Sequence, residues 1–109
     1  MPLPTLSHLQ FQIIGILKSG EQSGQYVRDE LAQQGVKKSG PGFYQLMARL
    51  EDSAFVKGHY VSKVIDGQAV KERRYKLTAS GVRAWEATMR FYRQQEALSR
   101  VGGLGHASK

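Results

Sequence analysis

The segment Ser39-Gly-Pro-Gly-Phe-Tyr-Gln-Leu-Met-Ala-Arg-Leu-Glu-Asp52 is the part of the chain around which the remainder is arranged. Serine is a favoured N-cap residue and proline is tolerated in a first helical turn, so the pattern predicts a short helix beginning after Ser39. Apolar residues recur at helical spacing at Phe43, Leu46, Met47, Leu50 and Ala54. One face of this helix is therefore expected to pack on a hydrophobic core.

The opposite face of the same helix is polar. It carries Tyr44, Gln45 and Arg49, and Lys37 and Lys38 lie just before it. A phenol, an amide and cationic side chains suit contacts with phosphates and with the edges of bases. The segment is thus a candidate recognition helix for a nucleic acid.

Length and charge agree with that interpretation. The chain has 109 residues, which predicts a single domain with a modest core that a second subunit would complement. Its net charge is +7, and residues 37–76 hold nine basic residues against four acidic ones. The basic excess begins where the candidate recognition helix begins, which indicates a polyanionic partner.

Several classes of function are not supported. The chain has no cysteine, and His8, His59 and His106 are scattered, so we expect neither a disulfide nor a metal site. No motif surrounds a catalytic nucleophile, and we expect neither catalytic residues, an enzyme activity nor a cofactor. The sequence shows no signal peptide and no apolar run long enough to span a membrane, so a cytoplasmic protein is expected.

Three helices are predicted in the first half. The first covers Thr5–Lys18 and carries two apolar strips, which suggests contacts with its own domain and with another surface. The second runs from a cap at Ser23 to about Gln34, with Tyr26 among its inward residues, and Gly35 follows as its terminator. Together with the third helix this order is typical of a helix-turn-helix.

A β-hairpin is predicted next. Residues Phe55–Ile65 and Gln68–Leu77 alternate in polarity and flank Asp66-Gly67, a strong signal for a type I′ turn. A basic two-stranded hairpin after a helix-turn-helix is typical of the wing of a winged helix. A last helix is expected from Ala79, capped by Thr78, to about Arg100.

The predicted fold class is α+β and mostly helical: a winged helix-turn-helix with a long C-terminal helix. The winged helix would occupy residues 1–78, and residues 79–100 would form a dimerisation helix of the same domain. Residues 101–109, with three glycines, are predicted to be a flexible tail.

Four segments of the chain, taken in order, resemble the PadR-like family of winged-helix transcriptional regulators. They are Ile14-Gly-Ile-Leu-Lys-Ser-Gly20, Ser23-Gly-Gln-Tyr26, Gly42-Phe-Tyr-Gln-Leu-Met-Ala-Arg-Leu-Glu51 and Glu72-Arg-Arg-Tyr-Lys-Leu-Thr-Ala-Ser-Gly81. The resemblance implies a homodimer that binds DNA through the third helix and the wing and dimerises through the first and last helices. Some members respond to small-molecule effectors, but no residue here identifies one.

The site predictions follow from these patterns and from the resemblance. The predicted DNA-binding residues are Lys37, Lys38, Ser39, Tyr44, Gln45, Arg49, Lys63, Lys71, Arg73 and Arg74. The predicted dimer interface comprises Leu6, Leu9, Ile13, Met89, Phe91 and Tyr92. The favoured function is a homodimeric, sequence-specific regulator, acting as a repressor on double-stranded DNA with an inverted-repeat operator. A winged helix that binds protein and one that binds RNA are the alternatives.

Overall fold

The computed structural model describes residues 6–107, including the side chains of residues 6–100. In chain order the elements are α1 (His8–Leu17), β1 (Gln22–Ser23), α2 (Gly24–Gln33), α3 (Gly40–Asp52), β2 (Val56–Ile65), β3 (Gln68–Leu77) and α4 (Ala79–Ala107). This is the predicted winged helix-turn-helix with a long C-terminal helix. Within the described residues there is no helix with the length and apolar character to cross a membrane.

Polar caps determine where the helices begin. Ser23 and Ser39 cap α2 and α3 as predicted, because each side chain accepts a hydrogen bond from the backbone of the first turn. The Thr78 hydroxyl accepts one from Gly81 at 3.0 Å and caps α4 in the same way. The start predicted for α1 is wrong, because Ser7 forms a capping box with Gln10 and the helix begins at His8. Thr5, the predicted start, lies outside the described residues.

The three short helices enclose the core. Its fully buried side chains include Ile13 and Ile14 of α1, Val27 and Leu31 of α2, and Phe43, Met47 and Leu50 of α3. The stripe predicted on α3 is therefore confirmed except at its end. Ala54 lies beyond the helix, is exposed, and has a φ of 63°. Tyr26, predicted to point inward, is 44% exposed.

The sheet has one strand more than the sequence predicted. β2 and β3 pair over their full length and form the wing, with left-handed φ angles of 51° at Asp66 and 79° at Gly67 in the turn. β1 adds two residues to the outer edge of β3, pairing Gln22 with Tyr75 and Ser23 with Arg74. A two-residue strand has no periodicity of its own, so only the folded chain reveals it.

The last helix is longer than predicted. α4 continues to Ala107 instead of ending near Arg100, so most of the predicted tail is helical. Residues 108 and 109 lie outside the described residues. The start of α4 packs on α1, burying Ala84, Ala87 and Thr88, whereas every side chain from Arg90 to Arg100 is exposed.

Two of the predicted dimer contacts instead lie in the core of the protomer. Leu6 is 6% exposed and Ile13 is fully buried, which leaves them little or no surface for a partner. Helical spacing cannot distinguish the side of α1 that faces its own core from the side that faces outward. Phe91 and Tyr92 are 45% and 41% exposed, and Leu9 and Met89 are half-buried.

Candidate nucleic-acid interface

The outward face of α3 has the polar character that the sequence predicted. Gln45 and Arg49 lie four residues apart, so they are one turn apart on the same side of the helix, and both are exposed. Among the described side chains, neither has an ionic or hydrogen-bonding partner. Their donors and acceptors are therefore available to a ligand that approaches α3 from outside.

Tyr44 occupies an intermediate position. Its side chain is 40% exposed, and its ring meets the buried Phe43 ring edge-on at 5.1 Å. A β-carbon on Gly24 would lie 2.9 Å from the Tyr44 hydroxyl, so the tyrosine rests against the glycine at the start of α2. Tyr44 thus packs on the body of the protein and also presents an edge to the outside.

The turn before α3 holds three of the predicted contact residues. Lys37, Lys38 and Ser39 are all exposed. Arg28 of α2 donates a hydrogen bond from Nε to the Lys38 carbonyl at 3.0 Å and so orders this turn. Because Ser39 accepts from Gly42, its hydroxyl hydrogen is directed away from the helix backbone and can be donated.

The wing and α3 form the walls of an open cleft of about 490 Å³. Its lining residues are Tyr44, Ala48, Glu51, Tyr60, Lys71, Arg73 and Tyr75. Tyr60 stands opposite Arg73 in the sheet register, so both project from the face of the wing that looks toward α3. Burial raises the pKa of the Tyr75 phenol, so this ring in the lining of the cleft carries no charge.

Within this cleft, Arg73 is already paired. Its Nη2 donates to Oε1 of Glu51 at 2.8 Å, and its guanidinium lies 4.6 Å from the centre of the Tyr60 ring. Lys71, two residues earlier on the same face, has no carboxylate within ion-pair distance in the described part of the chain. Of the two cations of the cleft, Arg73 is therefore already paired with a carboxylate, whereas the Lys71 ammonium group is still available to a ligand.

The other face of the wing carries an ionic network. Arg74 donates from Nε to Glu21 at 2.8 Å and from Nη1 to Glu72 at 3.3 Å, and Lys63 lies 3.1 Å from Glu72. The Arg74 hydrogen bond holds the pKa of Glu21 below its usual value, and the Lys63 ammonium does the same for Glu72. His59 approaches Glu21 at 3.5 Å. This network ties the segment before β1 to the wing.

The predicted DNA-binding residues thus lie on two sides of the molecule. The turn residues, Tyr44, Gln45, Arg49 and the cleft residues share the α3 side of the molecule, whereas Lys63 and Arg74 belong to the opposite face of the wing. Sequence reasoning missed Glu51, Tyr60 and Glu21. Strand alternation places Tyr60 beside Arg73 and would have drawn attention to it, but nothing local indicates that Glu51 and Glu21 meet arginines 22 and 53 residues away.

Comparison with solved structures gives the same architecture. A PadR-family regulator from Clostridium difficile superposes with a TM-score of 0.72 at 17% identity, covering 86% of this chain and 96% of the other. The chain has the fold of PadR-family transcription regulators. No protein-family model matches the sequence, and no curated protein matches it.

Two further structures with the PadR fold are similar. A PadR-like regulator from Bacillus cereus shares 21% identity at a TM-score of 0.65, covering 88% of this chain and 89% of the other. PadR of Bacillus subtilis, solved in complex with operator DNA, shares 24% identity at a TM-score of 0.61 over 73% of this chain. The chain spans only 45% of that protein's length. The resemblance found in the sequence is therefore confirmed at the level of the fold.

Proposed function

We propose that this protein is a homodimeric, sequence-specific DNA-binding regulator that represses transcription by occupying a promoter. The observation that carries the proposal is the face of α3 opposite the core. There Gln45 and Arg49 are exposed, and their side chains have no partner among the residues that the structure describes. The major groove of DNA is wide enough for a helix. In it, glutamine can form paired hydrogen bonds with adenine, and arginine can do so with guanine. B. subtilis PadR, with the same fold, was crystallised with operator DNA.

In this proposal, phosphates are bound by the exposed cations around α3. Lys37 and Lys38 flank the start of the helix and Lys71 lines the cleft between α3 and the wing. Phosphate contacts fix the register of a protein on the duplex but carry little sequence information. The net charge of +7 would strengthen binding to any duplex and make it depend on salt.

Selection of bound fragments from genomic DNA at near-physiological salt tests the function. Enrichment of one inverted repeat is expected, because a two-fold symmetric dimer reads two equivalent half-sites. Binding of structured RNA more tightly than duplex DNA would instead favour the RNA-binding alternative. If no duplex is retained at all, the regulator proposal fails and a protein-binding winged helix takes its place.

A further inference from the structure

A single carboxylate connects α3 to both strands of the wing. Oε1 of Glu51, in the last turn of α3, accepts a hydrogen bond from the backbone N–H of Gly58 at 3.1 Å. The same oxygen accepts from Nη2 of Arg73 at 2.8 Å. Gly58 lies on β2 and Arg73 on β3, so one side chain bridges the helix and the whole width of the hairpin. We call this contact the Glu51–Arg73 bridge.

The bridge occupies a site that only glycine leaves open. A β-carbon on Gly58 would lie 2.6 Å from Oε1 of Glu51 and 2.7 Å from Nη2 of Arg73. Both atoms are ends of flexible side chains, so an alanine would push the bridge aside while leaving the backbone in place. On its other side the Arg73 guanidinium is supported by the Tyr60 ring at 4.6 Å.

The paired state of Arg73 determines what it can contribute to DNA binding. Its side chain is 24% exposed and that of Glu51 is 27% exposed, so the pair is partly shielded from water. A phosphate would have to compete with a carboxylate already held by a charge-assisted hydrogen bond. Such a cation neutralises little phosphate charge and therefore releases few counterions.

We propose that Arg73 is a positioning residue and does not bind phosphate: the Glu51–Arg73 bridge sets the angle between α3 and the wing. This rests on the proposed function, in which α3 and the wing must meet one duplex together. The unpaired Lys71, on the same face of β3, then supplies the phosphate contact of the cleft. By fixing the angle between α3 and the wing, the Glu51–Arg73 bridge allows the Lys71 contact and the α3 contacts to be made to the same DNA.

The test uses Glu51→Gln, Arg73→Gln and the double variant of the full chain, with Lys71→Ala as the control. Operator affinity should fall about ten-fold in each bridge variant, an effect within the usual coupling range of residues in one network. The double variant should bind no more weakly than either single variant. The log–log salt slope should stay unchanged in all three and fall only in Lys71→Ala, by about 1.8, that is about 0.9 for each subunit of the dimer.

Two results would overturn the proposal. Glu51→Gln removes the negative charge that pairs with Arg73, so tighter binding to every duplex with a steeper salt slope would make Arg73 a masked phosphate ligand. A slope reduced by about 1.8 in Arg73→Gln, about 0.9 for each subunit, would show that Arg73 is itself a phosphate ligand. Because Glu51→Gln has some risk of misfolding, Gly58→Ala provides a second variant that displaces the bridge with both side chains intact, and it should show the same loss of affinity.

A measurement without DNA separates this inference from the proposed function. Residual dipolar couplings of the free protein report the orientation of the wing relative to α3, which Gly58→Ala and Glu51→Gln should change and Lys71→Ala should not. An unchanged orientation in both bridge variants overturns the positioning role even if the wild type binds an operator. Failure of the wild type to bind any duplex overturns the proposed function, whatever the couplings show.

Discussion

At the residue scale, neighbouring side chains of α3 face different environments, one the core and the other the solvent. Leu50 is fully buried, whereas Arg49 beside it is exposed and unpartnered within the described residues. A helix rotates by about 100° per residue, so adjacent side chains face different environments and substitutions at the two positions should have separable effects. The outward side chains should affect recognition and the inward one should affect stability.

We therefore expect Gln45→Ala and Arg49→Ala to weaken operator binding far more than non-specific binding. Each lost bidentate contact should cost about 1–3 kcal/mol of discrimination, and the melting temperature should stay near that of the wild type. Leu50→Ala serves as the contrasting variant, because emptying its core position should reduce the free energy of unfolding by about 2–5 kcal/mol. Competition binding and melting curves on the same proteins measure both effects. Wild-type operator affinity in both outward variants would show that α3 is not the reading helix.

At the scale of elements, α4 starts very close to the loop between α3 and β2. Gly81 is buried, and a β-carbon there would overlap the carbonyl oxygen of Phe55. That carbonyl is held in place because it accepts a hydrogen bond from the Thr78 backbone at 3.1 Å. The glycine thus permits the close packing of α4 on the winged-helix body, which sets the direction of the long helix.

Gly81→Ala should consequently lower the free energy of unfolding by about 1–3 kcal/mol through overpacking. The sign of this change is informative. Where a helix has free space for the β-carbon, a glycine-to-alanine substitution usually raises the free energy of unfolding by about 0.4–1 kcal/mol. Gly15→Ala in α1 is a matched control, since its β-carbon would have its nearest contact at 3.5 Å, an ordinary van der Waals distance. Urea unfolding of both variants measures the difference, and equal stability of the two would contradict the packing argument.

At the scale of the whole molecule, the exposed half of α4 requires an explanation. Between Arg90 and Arg100 no side chain is buried, yet Phe91 and Leu98 are apolar and seven residues apart, so they share one face of the helix. Exposed apolar surface of this kind on a projecting helix indicates a protein interface. The proposed homodimer would cover it with the equivalent surface of a second copy.

Replacing both Phe91 and Leu98 by glutamate should convert a dimer into a monomer in sedimentation equilibrium at tens of micromolar. Neither side chain belongs to the protomer core, so the helical circular-dichroism signal per residue should persist at low temperature. Arg93→Glu is a charge-matched control, because it also changes the net charge by two but lies about 200° from Phe91 around the helix. A wild-type monomer, or an unchanged mass in the double variant, would exclude this face as the interface.

The sequence by itself determined the order of the four helices and the hairpin, because the signals involved are local. Ser23 and Ser39 cap helices through their own first turns, and Asp66-Gly67 specifies a tight hairpin turn between alternating strands. Apolar spacing within α3 correctly separated Phe43, Met47 and Leu50 from the outward Gln45 and Arg49. These features depend on neighbours within a few residues.

Only the tertiary structure decided which charges remain available and which apolar faces are covered. Strand alternation sends Arg73 and Arg74 to opposite faces, but only the folded chain shows that Glu51 and Glu21 pair with them there. Lys71 remains unpaired in the described chain because no carboxylate reaches its part of the cleft. Leu6 and Ile13 likewise joined the protomer core and not a dimer surface. Each of these contacts joins residues that are distant in the sequence. The packing of the fold determines it, and no local sequence pattern indicates it.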